Sequence, residues 1–392
     1  MCSHRLRKRI GQGPHRATLL LLLATTFAPA AKAQLRSAHF ADADRATSSF
    51  SRHARKPVGR VSASDRGQRS SSASTRRYPA IRLRSTWTIG GDDADTTFLL
   101  PFSLTTTAQH FVVYDAIARR VVALSPISGK EAWRFGRAGR GPNEFGGIAF
   151  VSPRPAGGVR ILDLGNQRLS SLSDQGTILG RYAYPFGADP RGVCDLQESQ
   201  VRLRALVDHE IQRVVDDTTV VADGPLPWPE LAGHPGLVRQ SLLFSHPRGD
   251  VCFATLSFGP RFAILDKDGV RATGSWIEPV PLARARSLGK GSWTMMPGSV
   301  ITTTSATGVG ETFAVLFEGR STQRKRVIDF YSIADASYLF SIVLPFEAKV
   351  IGYGHGLLVA MGETSDGAPF VRAMSASPSL ETLVSRARAA TR

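Results

Sequence analysis

Beyond Pro79 the apolar residues fall in short runs, broken about every 8 to 12 residues by Gly, Asp, Ser or Pro. FVVYD, VVAL, VRILD, CFATL and FAILD are typical of these runs. They are rich in β-branched and aromatic side chains and too short for helices, and the punctuation between them suits tight turns. No long helical period appears before the last residues. The pattern predicts an all-β chain of many short strands.

The runs repeat. FVVYDAIARRVVALSPISGK, from Phe111, aligns with VRILDLGNQRLSSLSDQGT, from Val159. Asp115 matches Asp163, Arg120 matches Arg168, Val121 matches Leu169 and Leu124 matches Leu172, each 48 residues apart. A degraded third copy starts at Val251. One such unit makes a small antiparallel sheet that cannot cover both its faces, so several must pack around an axis. Unit starts near residues 101, 147, 192, 240, 299 and 348 predict six four-stranded antiparallel blades, a six-bladed β-propeller over 81–377. The sixth unit lacks an outer strand, and STWTIGG (85–91) resembles the outer-strand segment EAWRFGR, with Trp87 and Trp133 46 apart. The N-terminal strand is therefore expected to close the last blade and remove open sheet edges.

The stretches FGRAGRGPNEF and VRILDLGNQRLSSLSDQG resemble the repeat of NHL-type bacterial six-bladed β-propeller proteins, whose blades join through a connector of the type G-x-G-x-G-P-G-E-F. The match is strong over about 111–180 and weaker to 376, and Asn143 stands where the connector has glycine. The resemblance implies the fold. Such propellers include enzymes, scaffolds and binding modules, so it names no activity.

Charge changes the picture only at the N-terminus. Of the net +17, residues 1–80 carry +13, which removes most of the support for nucleic-acid binding by the folded part. RLRKR, then ATLLLLLATTFAPA, then AKA before Gln34 has the order of a secretory signal peptide, expected at 1–33. The Ser/Arg/Ala-rich stretch 34–80 is expected as a disordered basic linker, and 378–392 as a polar tail. These features predict an exported protein, periplasmic or extracellular, with no membrane span after cleavage and a monomeric state. Cys194 and Cys252 either pair as a disulfide or stay as buried thiols.

The chemistry is sparse. GRAGRG leads into Pro142 and Asn143, not a Walker lysine, and no helix follows for a dinucleotide fingerprint. No nucleophile elbow or local zinc spacing is present, so no catalytic residue and no cofactor are assigned. His110, His246 and His355 each precede a second strand, and converging turns would make them an alternative metal set. The lactonase-like reading that the resemblance brings finds only unmatched candidates such as Asp195 and Glu311. Two long connections, DGPLPWPELAGHPGLV and IEPVPLARARSLGKGSWTMMPG, carry the better clue, because long loops on a rigid scaffold carry binding residues. Trp228 and Trp293 are expected to offer stacking surface, and Arg284, Arg286 and Lys290 to attract an anion, with Arg137 and Arg140 on the same face. The expected function is a non-catalytic binding or scaffold module for a protein, peptide or acidic glycan. A metal-dependent lactonase-like or lyase-like enzyme and a structural envelope component are the alternatives.

Overall fold

The computed structural model describes residues 75–92, 95, 97–183, 192–196, 203–207, 210–215, 219–225, 227–228, 231, 233–289 and 291–390, without the side chains of 203–225. The expected signal peptide, most of the expected linker, and Lys290 lie outside the described residues. Residues 66–289 with 293–392 make one compact unit. Every four-stranded sheet belongs to this unit.

Five antiparallel four-stranded sheets follow one another. The first is β2 (Pro101–Thr106), β3 (Phe111–Asp115), β4 (Arg120–Leu124) and β5 (Glu131–Phe135), and the second β6 (Ala149–Pro153), β7 (Val159–Asp163), β8 (Arg168–Leu172) and β9 (Ile178–Ala183). Further along come β13 (Ser241–Ser245), β14 (Cys252–Leu256), β15 (Arg261–Asp266) and β16 (Gly269–Ser275), then β19 (Thr303–Val309), β20 (Thr312–Phe317), β21 (Val327–Ser332) and β22 (Tyr338–Val343). The last sheet joins β23 (Ala348–Gly354), β24 (Leu357–Glu363) and β25 (Pro369–Ser377) to β1 (Arg82–Gly90) at its outer edge. Between the second and third of these lies a three-stranded sheet, β10 (Leu203–Val207), β11 (Glu210–Val215) and β12 (Thr219–Pro225).

The first strands of the five sheets lie side by side. β2 sits between β6 and β23, β19 between β23 and β13, and β13 also meets β6. This is the architecture of a β-propeller with five four-stranded blades, not the six expected. The difference arises at residues 192–225. Among the described residues, Gly192–Leu196 forms no strand, only a β-bridge at Cys194. Val193, Cys194 and Leu196 are buried, the latter two against β13 and β14, and Asp195 N donates to Ser245 Oγ at 3.3 Å. A run counted as a strand on its composition is used as packing against a neighbouring blade.

Burial follows the strand pattern. The middle strands β3, β7 and β14 are buried throughout, whereas the outer strand β9 alternates half-buried and exposed, because only one of its faces meets a neighbour. The cores are seams between blades. In the seam joining the β13 and β19 blades, Phe262 packs 5.0 Å from Phe253, 4.9 Å from Trp276 and 4.7 Å from Tyr331. The paired aspartates close strand ends. Asp115 accepts from the N–H groups of Leu99 (2.8 Å) and Ile117 (3.2 Å), and Asp163 from Asn166 N (3.2 Å), each tying the end of a strand to its turn.

Both ends of the described chain pack on the propeller. Residues 75–80, assigned to the linker, dock on the β19 blade: Ser341 N donates to Arg77 O at 2.8 Å, and Arg76 is nearly buried. The folded part thus begins before residue 81. In the tail, Leu380–Ala389 forms a helix, α1, capped by Ser379 Oγ, which accepts from Thr382 N at 3.2 Å. Leu380, Leu383 and Val384 bury its apolar side in the core shared by the β19 and β23 blades, so this tail is only half polar.

Candidate functional site

The connector at 134–147 is built by its own side chains. Phe145 is buried, edge-on to Tyr114 at 5.5 Å and to Phe135 at 6.1 Å. Gly136, at φ +89°, lies so near that ring that a Cβ would come within 2.2 Å of it, so only glycine fits. Glu144 accepts from Gly141 N at 2.7 Å and from Arg137 Nε at 2.9 Å, and these two donors hold its carboxyl below the usual carboxylate range. Asn166 and Arg168 of the next blade grip its carbonyls: Asn166 Nδ2 donates to Gly139 O at 3.1 Å, and Arg168 donates to Gly141 O at 3.1 Å. Arg137 therefore serves the loop, and Arg140 is exposed beside it.

The histidines do not converge as a metal set would. His246 is buried edge-on against Phe313 of the next blade at 5.3 Å, and His355 meets Phe111 at 5.5 Å. His110 faces Trp133 at 6.3 Å. The turn histidines of two blades thus pack on the first aromatic of the neighbour's second strand. Burial lowers the pKa of His246 to about 4, aided by Arg248 and opposed by Asp250 and Glu311. Among the described residues no group of three or more His, Cys, Asp or Glu side chains could hold a metal. Asp195 instead faces the buried Arg160, whose Nε and a terminal nitrogen donate to its Oδ2 at 3.1 and 2.9 Å. Glu311 pairs with Arg248.

The two long loops part company. Trp228 is buried among Leu231, Val238 and Leu243 and offers no stacking surface, which corrects the expectation for it. Its large ring fills the core beside Cys194 and Cys252, and the structure joins these two by a disulfide.

The second loop, 276–302, is fixed at its base and exposed beyond it. Trp276 Nε1 donates to Gly259 O at 2.8 Å, Ala283 N to Phe258 O at 3.0 Å, and Thr302 N to Ser257 O at 2.9 Å. From that base rises a two-stranded hairpin, β17 (Ala285–Gly289) and β18 (Ser292–Met295). Met296 N donates to Arg284 O at 2.7 Å, and Ala285 and Met295 pack toward the β13 blade's core. Arg284, Arg286, Leu288 and Trp293 are exposed, Leu288 at 61% and Trp293 at 40%. Met296 and Ile301 extend the apolar surface. Arg320, from the β20–β21 turn, was not anticipated; it joins the cluster by donating to Gly298 O at 2.9 Å. The basic run RSTQRKR (320–326) was the available signal, but the sequence alone does not say which loop it faces. Arg137 and Arg140 sit on the connector between the first two blades.

Two clefts of about 410 and 450 Å³ lie elsewhere, one on each side of α1. Both are open, and neither holds any of the residues singled out for binding.

No protein-family model matches the chain. No curated protein sequence matches it. Among solved structures it is similar to the β-propeller domain of Cps50 (Swd1) from Myceliophteria thermophila, at 13% identity and TM-score 0.43 over 75% of this chain and 99% of that one. It is similar to virginiamycin B lyase from Staphylococcus aureus at 11% identity and TM-score 0.44, over 75% and 99%. The WD40 β-propeller domain of Doa1 is similar at 10% identity and TM-score 0.41, over 70% and 78%. The class of this protein, an all-β propeller, stands on its own strand pairing, and these distant likenesses add no activity to it.

Proposed function

We propose that this chain is an exported, monomeric, non-catalytic binding module that presents the 276–302 loop to a protein, peptide or acidic glycan. One observation carries the reading. Of the ten exposed large apolar side chains among the described residues, four (Leu288, Trp293, Met296 and Ile301) belong to this loop, alongside Arg284, Arg286 and Arg320. A mixed apolar and cationic surface, raised on a hairpin whose base is locked, suits recognition better than catalysis. Export is supported by the leader-like order of residues 1–33 and by the Cys194–Cys252 bond, which suits an oxidising compartment. In the same reading, Gly192–Leu196 with β10–β12 is a sixth, incomplete blade, and β1 is the clasp of the last one, as in NHL-type propellers.

Trp293 is the exposed tryptophan of this surface, so its fluorescence is the readout. Titrating the protein with acidic peptides and acidic glycans is expected to quench it saturably, and Trp293→Ala is expected to weaken binding about tenfold, or about 1.4 kcal/mol. Equal affinity in wild type and in a Trp293→Ala, Arg286→Ala double variant, followed with a labelled ligand, would remove this loop from the reading.

A further inference from the structure

We infer that the β17–β18 hairpin takes its ligand as a third strand: an extended acidic peptide segment pairs along the outer edge of β17. The inference rests on the binding-module reading and names the partner for that loop. The hairpin is a two-stranded sheet, and among the described residues neither outer edge is paired. The bond from Met296 N to Arg284 O makes Arg284 a hydrogen-bonded position toward β18. Antiparallel alternation then turns the N–H groups of Ala285 and Ser287 outward, where they have no strand to meet. Residues 286–289 are all exposed, so nothing covers that edge. A row of unpaired donors and acceptors on an exposed edge is a template for a further strand.

Charge selects the occupant. A second copy of the hairpin would bring Arg284 and Arg286 against their own counterparts, and like charges across a strand pair oppose pairing. An incoming strand with Glu or Asp at alternate positions would meet those arginines instead. Its intervening apolar side chains would fall on the opposite face, which carries Ser287 and, across the hairpin, Trp293, while Leu288 stays beside the arginines. The acidic groups nearest the base are engaged: Glu278 pairs with Arg76 at 2.8 Å and also accepts from Arg320 N at 2.7 Å. Carboxylates of the hairpin's own loop therefore do not compete for the arginines at the exposed edge.

The test uses the full chain and a fluorescent, end-blocked peptide of alternating glutamate and valine. Its controls are the lysine–valine counterpart, the same peptide with N-methylated valines, and a sulfated glycan. Saturable binding of the glutamate peptide is expected, with roughly tenfold losses on N-methylation, in Arg286→Glu and in Ser287→Pro. Ser287→Pro removes an outward N–H, Ser287→Ala controls for the lost Oγ that accepts from Gly289 N at 3.1 Å, and near-ultraviolet circular dichroism checks that both leave the propeller intact. A carbonyl-labelled peptide should show an extended-strand amide band only when bound. If Ser287→Pro and N-methylation leave affinity unchanged while Trp293→Ala weakens it, strand addition is overturned and the binding loop stands. Should the glycan bind and the peptide not, the peptide partner is overturned. Binding indifferent to Arg286→Glu, Ser287→Pro and Trp293→Ala alike overturns both the inference and the binding loop.

Discussion

The best-defined repeat in this molecule is a tryptophan on a glycine. Trp87 Nε1 donates to Pro126 O at 2.9 Å and Trp133 Nε1 to Asp174 O at 2.7 Å, each reaching the outer turn of the next blade. Beneath the rings lie Gly129 and Gly176, at φ +70° and +77°, where a Cβ would come within 2.8 Å of the indole. The equivalence of Trp87 and Trp133 was legible in their spacing. Their landing sites were not, because nothing local says which turn a neighbouring blade presents. Gly176→Ala combines a left-handed backbone with a clash, so it is expected to destabilise by about 1–3 kcal/mol, measured by urea denaturation. His246 supplies a pH dependence. The folded state keeps its imidazole neutral down to about pH 4, whereas the unfolded chain protonates near 6.5. Its contribution is present above pH 6.5 and is lost as pH falls toward 4, on the order of 3 kcal/mol. Urea midpoints at pH 7.5 and 4.5 should separate less in His246→Gln than in wild type.

At the scale of elements, the N-terminal strap matters most. Arg76 Nε and a terminal nitrogen donate to the two oxygens of Asp329, at 3.0 and 3.1 Å, and its other terminal nitrogen donates to Glu278 at 2.8 Å. The guanidinium lies 4.8 Å from the centre of the Phe317 ring. Burial opposes its charge, but the two carboxylates outweigh burial and raise its pKa. Burial also raises the pKa of Asp329, which Arg76 and Ser341 partly offset. From this anchor the chain runs on to β1, paired with β25 from Arg82↔Ser377 to Gly90↔Phe370. Arg76→Ala would strand a buried carboxylate, so a loss of roughly 3–5 kcal/mol is expected, with partial recovery on adding Asp329→Asn. Chemical denaturation of the single and double variants checks both. An aspartate inside VIDFYS, or an arginine inside VRILD, signals that some opposite charge must reach it. Neither says that the partners are Arg76 and Asp195, 253 and 35 residues away.

For the whole molecule, the Cys194–Cys252 bond pins the least regular part of the ring to the β13 blade, across 58 residues of chain. Its removal by Cys252→Ser should cost on the order of 4 kcal/mol through loop entropy alone, seen as a lower thermal midpoint than wild type, with reductant changing only the wild type. The sequence by itself determined the strand class, the 48-residue unit and the outer-strand kinship of residues 85–91, because each is written in local side-chain alternation and turn residues. Tertiary structure alone decided that five blades are complete, that Trp228 is core while Trp293 is surface, and that the turn histidines wedge between blades. Those outcomes depend on which surfaces meet across a seam. A run such as VCDL has the same local preference whether it pairs as a strand or packs as a wedge, so only the neighbouring blade could choose.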